Sequence, residues 1–217
     1  MPKAFGRKAT LVDRVPPRGG SERKERQCTR ILYHAARLFS ELGYASTTVD
    51  MLAEVTQMNK ASIYYYFENK REILFTLIEE SANDLLEVSK PALDLEPRLA
   101  LRYLIQFGIG NFYRHIHENR IFSQELPYLT ETLSRAQYDK IHRMQRDYMK
   151  IVYNVIERGI AQGLFRKGDV RLLGQLFAGW NLAPIRLTEL VSEEEMVDAV
   201  SNLFISGLCA DGTARPE

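Results

Sequence analysis

From Glu22 onward, apolar residues of the 217-residue chain recur every three or four positions, the spacing that gathers them on one face of an α-helix. The pattern is interrupted only by short polar turns and by Gly or Pro. No segment alternates between apolar and polar residues as a half-buried strand would. The sequence therefore predicts an all-α protein.

The interruptions divide the chain into helices of unequal length. We expect Gly43 to end the first helix in the left-handed conformation, Thr47 or Thr48 to cap the second, and Pro184 to kink the eighth. The predicted helices cover residues 22–42, 47–55, 60–67, 70–90, 97–118, 120–126, 130–162, 169–189 and 192–208. The inward faces of the first two helices are expected to bury Ile31, Ala35, Leu38, Phe39, Leu42, Val49, Leu52, Ala53 and Val55.

Charge is distributed unevenly behind a net charge of +1. Residues 1–71 hold 13 Lys and Arg against 7 Asp and Glu, a net of +6, whereas residues 72–217 have a net of −5. A basic N-terminal third favours a polyanionic partner. Residues 1–21 contain Pro-Pro, Gly-Gly and scattered basic residues without an apolar period, so we expect a disordered basic arm, either a solvated tail or a phosphate tether.

The sequence indicates neither a membrane segment nor a disulfide framework. It contains no apolar stretch of about eighteen residues, and the N-terminus lacks the apolar core of a secretory signal. Two cysteines, Cys28 and Cys209, lie at opposite ends of the chain. We expect a cytoplasmic protein with free thiols and no membrane partner.

The segment NKASIYYYFENKREIL contains three tyrosines and a phenylalanine in a row. Successive residues of an α-helix turn by about 100°, so these four rings cannot all face one core. Ile63, Tyr66 and Phe67 share a face and are expected to pack on neighbouring helices. Tyr64 and Tyr65 then point towards solvent or a partner.

Two short helices joined by a tight turn and preceded by a longer helix form a helix-turn-helix pattern, in which the second short helix enters the major groove of DNA. Lys60 and Ser62 begin that helix and can reach a phosphate or a base edge, and the small Ala61 allows a close approach. The two outward tyrosines can donate hydrogen bonds to the sugar–phosphate backbone and contact a thymine methyl group. Lys70 begins the next helix, where its ammonium group and the helix amides can hold a phosphate together.

The segment GYASTTVDMLAEVTQMNKASIYYYFENKREIL resembles the DNA-binding segment of the TetR family of bacterial transcriptional regulators. The matching features are an aromatic residue after Gly43, the pairs Thr47-Thr48 and Leu52-Ala53, the SIYYYF helix, and Asn69-Lys70 before an acid and Ile-Leu. The resemblance implies a homodimeric repressor whose recognition helices enter successive major grooves of a near-palindromic, double-stranded operator. It further implies that a small-molecule effector bound in the C-terminal domain releases the DNA. The DNA-binding residues it implies are Thr48, Lys60, Ala61, Ser62, Tyr64, Tyr65 and Lys70.

The resemblance also implies a division of the chain. We expect a basic arm over residues 1–21, a helix-turn-helix DNA-binding domain over 22–70, and a larger helical ligand-binding and dimerisation domain over 71–217. The turn between the two short helices departs from the family pattern, because Thr56-Gln57-Met58 stands where the family has glycine and a small apolar residue. Either Gln57 adopts a positive φ or the turn has another shape.

The C-terminal helices mix aromatic residues with a few polar groups, the composition of a small-molecule site, although ordinary core packing accounts for each of them as well. The candidate ligand-binding residues are Tyr103, Phe107, Asn111, His115, Phe122, Tyr148, Tyr153, Trp180 and Asn181. Gly108 and Gly110 each cost about 1 kcal/mol relative to alanine within a helix, which indicates close helix contact or room for a ligand. The stretch Gly179-Trp180-Asn181 is similar to that of relatives that sense acyl-coenzyme A or other lipid-derived compounds.

The last two helices contain more large apolar residues than one protomer needs to bury. They are Leu172, Leu173, Leu176, Phe177, Val197, Val200, Leu203, Phe204 and Leu208. This surplus favours a four-helix interface between two copies of the chain, and burial against the protomer's own helices is the alternative.

Other functions receive less support. The sequence has no GxSxG elbow, phosphate loop or Cys/His triad spacing, so we expect no catalytic residues and no cofactor. His115 and His117 point away from each other on a helix, so we expect no metal site. A helical small-molecule carrier with a vestigial helix-turn-helix, and a transcriptional activator that uses the same residues, remain alternatives to the repressor.

Overall fold

The structure is a computed structural model that describes residues 20–125, 129–179 and 191–209, and the side chains of these segments except for residues 20–22, 122–125 and 129. The described part is all-α and contains no strand, as the periodicity predicts. In chain order the helices are α1 (Gly20–Leu42), α2 (Val49–Thr56), α3 (Lys60–Tyr66), α4 (Lys70–Ser89), α5 (Pro97–Arg114), α6 (Ile116–Glu125), α7 (Leu129–Thr132), α8 (Arg135–Ala161), α9 (Val170–Gly179) and α10 (Glu193–Leu208), with a 3-10 turn at Lys90–Asp94. The arm was expected over residues 1–21, but α1 already begins at Gly20, and residues 1–19 lie outside the described residues. The kink at Pro184 and the helix end at residue 189 lie outside them as well.

Helices α1, α2 and α3 pack with the first half of α4 around one hydrophobic core. Each of these helices contributes to its fully buried side chains, which include Ile31, Ala35, Phe39, Leu52, Ile63, Leu74 and Leu77. Helices α2 and α3 have only 8 and 7 residues. Helices this short are marginal in isolation, so packing against α1 and α4 keeps them helical.

A second core lies among α5, α8, α9, α10 and the second half of α4. Its fully buried side chains include Leu101, Leu104, Ile105, Val152, Val155, Ile156 and Phe177. The 20-residue helix α4 belongs to both cores: Ile73 and Ile78 pack in the first, and Leu85 and Leu86 pack against the second. A displacement of α4 in one core therefore changes the packing of the other core as well.

Two apolar residues do not take the inward positions expected from periodicity. Leu42 is 48% exposed and Val55 is 39% exposed. Each stands in the last turn of its helix, next to the left-handed residues Gly43 and Gln57. The chain changes direction there, so the helical spacing no longer identifies the side that a neighbouring helix covers.

Two long predicted helices are interrupted. The helix expected over 97–118 ends at Arg114, and α6 begins after His115, whose φ of −110° and ψ of 40° lie outside the helical region. The helix expected over 130–162 begins only at Arg135, because Ser134 and Gln137 form a capping box that starts α8. The end expected near the Gly163 turn is found, since Gly163 has a φ of +71°.

The turn between α2 and α3 resolves the open alternatives for Gln57. Its φ of 52° and ψ of 36° are left-handed. Its backbone N–H donates to the carbonyl oxygen of Glu54 at 3.1 Å, and the N–H of Met58 donates to Ala53 at 3.0 Å, a Schellman-type end to α2. Glycine adopts this conformation without the steric penalty that a β-carbon brings.

We expect Gln57→Gly to raise the free energy of unfolding by about 0.5–1 kcal/mol, because relief of the left-handed strain exceeds the entropy that glycine adds to the unfolded chain. Urea denaturation of the two proteins checks the value. Glu54→Gly is the matched control, since this exposed residue lies inside α2, where glycine should cost about 1 kcal/mol. A loss of stability in Gln57→Gly would contradict the strain.

Candidate nucleic-acid interface

The two threonines before α2 have different roles. Thr48 is exposed and caps α2, since its Oγ1 accepts a hydrogen bond from the N–H of Met51 at 3.2 Å. Thr47 is fully buried, and its hydroxyl donates to the carbonyl oxygen of Gly43 at 2.9 Å. Of the two capping candidates in the sequence, Thr48 is therefore the cap, and it stays on the surface beside α3.

Helix α3 begins with a cap that the sequence reasoning missed. The side-chain oxygen of Asn59 accepts a hydrogen bond from the N–H of Ser62 at 2.6 Å. Asparagine is among the preferred capping residues, and its position directly before Lys60 is the signal that could have identified it. The cap fixes the direction in which Lys60, Ala61 and Ser62 meet an approaching ligand.

The aromatic run divides as helical geometry requires. Ile63 and Phe67 are buried at 1% and 6% exposure, and Tyr66 is half-buried against the same core. Tyr64 is 46% exposed and Tyr65 is 72% exposed. The arrangement in which all three tyrosines pack internally is thereby excluded, and two phenol rings stand on the surface of α3.

Lys60 is held by a partner that the sequence did not indicate. Its Nζ lies 2.9 Å from Oδ2 of Asp50, in the first turn of α2. This hydrogen bond, together with the charge of Asp50, raises the pKa of Lys60. Both side chains are largely exposed, so the pair adds little stability and a phosphate can compete for the ammonium group.

Lys70 occupies a different place from the one expected. Its Nζ donates to the carbonyl oxygens of Tyr44 at 2.6 Å and Thr47 at 2.7 Å, and lies 4.3 Å from the centre of the Tyr44 ring. The ammonium group thus fixes the loop that leads into α2 and the Thr48 cap. The distances show that Lys70 holds this loop in place. Its contact with a phosphate stays a prediction.

Helix α1 adds basic side chains that the sequence reasoning did not assign to the interface. Arg23 and Arg30 line, together with Ser62 and Tyr65, a surface cleft of about 620 Å³ between α1 and α3. The Nζ of Lys24 lies 5.8 Å from the centre of the Tyr65 ring. The two arginines are seven residues apart and so share one face of α1, which is the signal that could have identified them. The cleft combines positive charge, hydroxyls and aromatic surface, the groups that bind a phosphate backbone.

A cavity of about 340 Å³ lies in the C-terminal half. Its described lining comes from five helices, α4, α5, α6, α8 and α9, and includes the candidates Asn111 and Tyr148. Gly108 also lines it, so one of the two unusual glycines provides room. Gly110 instead marks a close contact, since a β-carbon there would lie 2.9 Å from Oε1 of Glu193.

Three of the other candidate ligand-binding residues do not line the cavity among the described residues. Tyr103 and Phe107 stack on each other at 4.2 Å outside the described lining, and the hydroxyl of Tyr153 accepts a hydrogen bond from Gln175. A contact of these three residues with a ligand stays a prediction. Three further candidates, the side chains of Phe122, Trp180 and Asn181, lie outside the described residues.

His115 lies behind the cavity wall as the centre of a buried ionic cluster. It is 2% exposed, its Nε2 lies 3.2 Å from Oδ2 of Asp84 on α4, and its Nδ1 lies 3.7 Å from Oε1 of Glu118 on α6. Burial by itself lowers the pKa of His115, but the two carboxylates together outweigh burial and raise it to about 9. The imidazolium therefore joins α4 to the break between α5 and α6.

Within the described ranges, no group of three or more His, Cys, Asp or Glu side chains is placed to hold a metal ion. No helix of the described chain combines the length and apolar character needed to cross a bilayer.

Two models of one protein family match this chain, one in each half. Residues 31–77 match the family model for bacterial regulatory proteins of the TetR family, and residues 94–180 match the model for the tetracyclin repressor-like C-terminal domain. The chain is 24% identical over 196 residues to the fatty acid metabolism regulator protein of Bacillus subtilis, which covers 86% of this chain and 98% of that protein.

Solved structures show the same fold. The TetR family regulator PfmR from Thermus thermophilus superimposes with a TM-score of 0.76 at 29% identity, over 83% of this chain and 96% of that one. AibR in complex with isovaleryl coenzyme A and operator DNA superimposes with a TM-score of 0.72 at 22% identity, over 82% and 98%. Because models for the two domains of one family together match more than half of its residues, the chain belongs to the TetR family of bacterial regulatory proteins and is a DNA-binding transcriptional regulator, with a helix-turn-helix domain followed by a larger helical domain.

Proposed function

We propose that this regulator is a ligand-responsive repressor that binds a near-palindromic operator as a homodimer through α3. The observation that supports this most directly is the outward position of Tyr64 and Tyr65. Burial of Ile63 and Phe67 holds the helix in register, so the two phenols are presented without a cost in core packing. Large exposed aromatic residues on a short helix beside a basic cleft suit a nucleic-acid partner.

The proposed DNA contacts follow from where each group lies. The amides at the start of α3, with Lys60, Ala61 and Ser62, approach the major groove, since the small side chain at 61 leaves the backbone accessible. Thr48 and the two tyrosines contact the sugar–phosphate backbone on either side. Lys70 positions the loop before α2 and can share its ammonium group with a phosphate.

The C-terminal helices support the homodimer. Of the apolar surplus on α9 and α10, Phe177, Val200 and Leu208 are buried within the protomer, whereas Leu172, Leu176 and Leu203 are 59%, 58% and 72% exposed. We refer to these three leucines as the leucine surface. Exposed leucines on two adjacent helices provide the apolar centre that a stable interface requires.

We expect Leu203→Glu to weaken dimerisation by at least a thousandfold. Burial of one leucine contributes about 1.5–3 kcal/mol and the interface contains two copies, while the substitution also buries two carboxylates. Sedimentation equilibrium measures the change in the dimer dissociation constant. Leu42→Glu is the matched control, because Leu42 is 48% exposed on α1, which packs in the other core. A variant that remains as dimeric as the control would place the interface elsewhere.

The effector is proposed to occupy the cavity between α4, α5, α6, α8 and α9. The volume lies at the lower end of the range of small-molecule sites, and the wall mixes apolar side chains with a few polar ones. The similarity to a fatty acid metabolism regulator and to a protein solved with isovaleryl coenzyme A favours an acyl-coenzyme A or another lipid-derived compound.

The mechanism is a shift between two conformers. Residues of α4 line the cavity, and the same helix packs in the core that holds α3. A ligand that binds better when α4 is displaced favours a spacing of the two α3 helices that does not match the operator. The proposed boundary between the domains, at residues 70 and 71, places all of α4 except its first residue with the effector domain.

A mobility-shift assay with the promoter of the protein's own gene tests this function. A retarded band that weakens steeply with salt supports DNA binding, since phosphate contacts release counterions. A helical carrier with a vestigial helix-turn-helix would give no band at any protein concentration. Promoter output measured with and without the gene separates the repressor from an activator that binds through the same residues.

A further inference from the structure

The volume of the cavity gives the size of the part of a ligand that it encloses. This volume is about 340 Å³, and at roughly 30 Å³ for each group of water size it holds about eleven non-hydrogen atoms. Most of the described wall is apolar, including Ile78, Leu85, Phe112 and Met149. An apolar chain of about ten carbons with one small polar group therefore fills it.

The polar part of the wall contains an acceptor without a partner. Asn111 on α5 is 3% exposed, and its Oδ1 has no hydrogen-bond partner among the described residues. A buried amide oxygen left unsatisfied costs about 1–3 kcal/mol. A ligand that donates a hydrogen bond to this oxygen recovers that cost, whereas a ligand that can only accept does not.

The same wall is negatively charged. Glu118 on α6 lines the cavity at 7% exposure, and among the described lining residues it is the one with a formal charge. Behind it, one imidazolium, that of His115, lies between the carboxylates of Glu118 and Asp84. Glu118 is the member of this cluster that lines the cavity, so an occupant meets a carboxylate there. An anion enclosed beside it would be repelled in a medium of low dielectric constant, whereas a cation or a neutral donor would be attracted.

We propose that the cavity selects an apolar molecule of about ten carbons whose polar end is a hydrogen-bond donor, a hydroxyl or an ammonium group, and rejects a carboxylate. The inference rests on the proposed function, which assigns this cavity to the effector, and it adds the chemistry of the part of the ligand that is enclosed. In a coenzyme A thioester the carbonyl oxygen, the sulfur, two methylene carbons and the amide nitrogen occupy part of this space, so an acyl chain of about six carbons and the amide N–H lie inside while the phosphates stay outside.

Isothermal titration of the full-length protein with 1-decanol, decylamine and decanoate at pH 7.5 tests the selection, because the three probes share a chain and differ in the end group. We expect decanol and decylamine each to bind at least tenfold more tightly than decanoate. A smaller difference, a preference for decanoate, or no measurable binding of decanol and decylamine would overturn the inference.

Substitutions of two wall residues test which side chains cause the preference for a donor end group. Glu118→Gln keeps the shape and removes the charge, so it should weaken decylamine about tenfold and change decanol less than threefold. Asn111→Leu should weaken decanol at least fivefold, because it removes the acceptor. Glu157→Gln is the matched control, since this glutamate is exposed on α8 outside the described lining, and it should change neither affinity. If Glu118→Gln does not fold, the three probes on the unsubstituted protein still decide the question.

Release of fluorescent promoter DNA, measured separately by polarisation, distinguishes this inference from the proposed function. Tight decanol binding without DNA release supports the selection while it contradicts the effector role of the cavity. Tight decanoate binding that releases the DNA would support the effector role of the cavity. It would overturn the proposed selection against a carboxylate.

Discussion

The double substitution Tyr64→Ala/Tyr65→Ala is expected to lower operator affinity by about a thousandfold. Each phenol can make one hydrogen bond to the backbone of DNA at a net value of about 1 kcal/mol, and a dimer presents four of them, which gives about 4 kcal/mol. Fluorescence polarisation at fixed salt measures the loss. Because contacts to the backbone are independent of sequence, random DNA should lose affinity by a similar factor.

Two comparisons make this result specific. Tyr64→Phe/Tyr65→Phe keeps both rings and removes both hydroxyls, so it should account for most of the loss if hydrogen bonds dominate. The free energy of unfolding should change by less than about 0.5 kcal/mol in the alanine variant, since both side chains are exposed. Retained affinity in a folded, dimeric alanine variant would remove the tyrosines from the interface.

Stability is expected to fall as the pH rises from about 6.5 to 9, because of His115. The pKa of His115 is raised from 6.5 to about 9 in the folded protein, so the folded state binds the proton more tightly than the unfolded state. The stabilisation is fully present below the unfolded pKa and is lost as the pH rises through the folded pKa, with a magnitude of about 3 kcal/mol.

Urea denaturation across this pH range checks the slope. His115→Gln should flatten it, whatever the absolute stability of the variant, because glutamine does not titrate. His142→Gln is the control: this residue stacks edge-on against Tyr138 at 4.2 Å and belongs to no comparable buried cluster among the described residues. A slope that persists in His115→Gln would show that the imidazolium is not clamped between Asp84 and Glu118.

Local sequence patterns predicted the elements whose cause is local. Ser192 and Glu195 form a capping box, and α10 begins and ends where the pattern places it. Tyr64 and Tyr65 are exposed because a 100° turn per residue separates them from the buried face occupied by Ile63. These conclusions needed only helical geometry and residue type.

Contacts between segments that are distant in the sequence could not be predicted from local patterns. Asp84 and His115 are 31 positions apart, and Lys70 and Tyr44 are 26 apart. No periodicity relates such pairs, since only tertiary packing brings them together. The break at His115 and the loop-holding position of Lys70 follow from these contacts, so sequence reasoning continued the helix through His115 and assigned Lys70 to phosphate alone.

Hydroxyl-radical footprinting of the protein on its own promoter tests most directly whether α3 is the DNA-binding surface of a homodimer. Two protected patches are expected on one face of the duplex, with centres about one helical turn of 10–10.5 base pairs apart, and both should disappear in Tyr64→Ala/Tyr65→Ala. A single patch, or two patches that persist unchanged in this variant, would contradict the account.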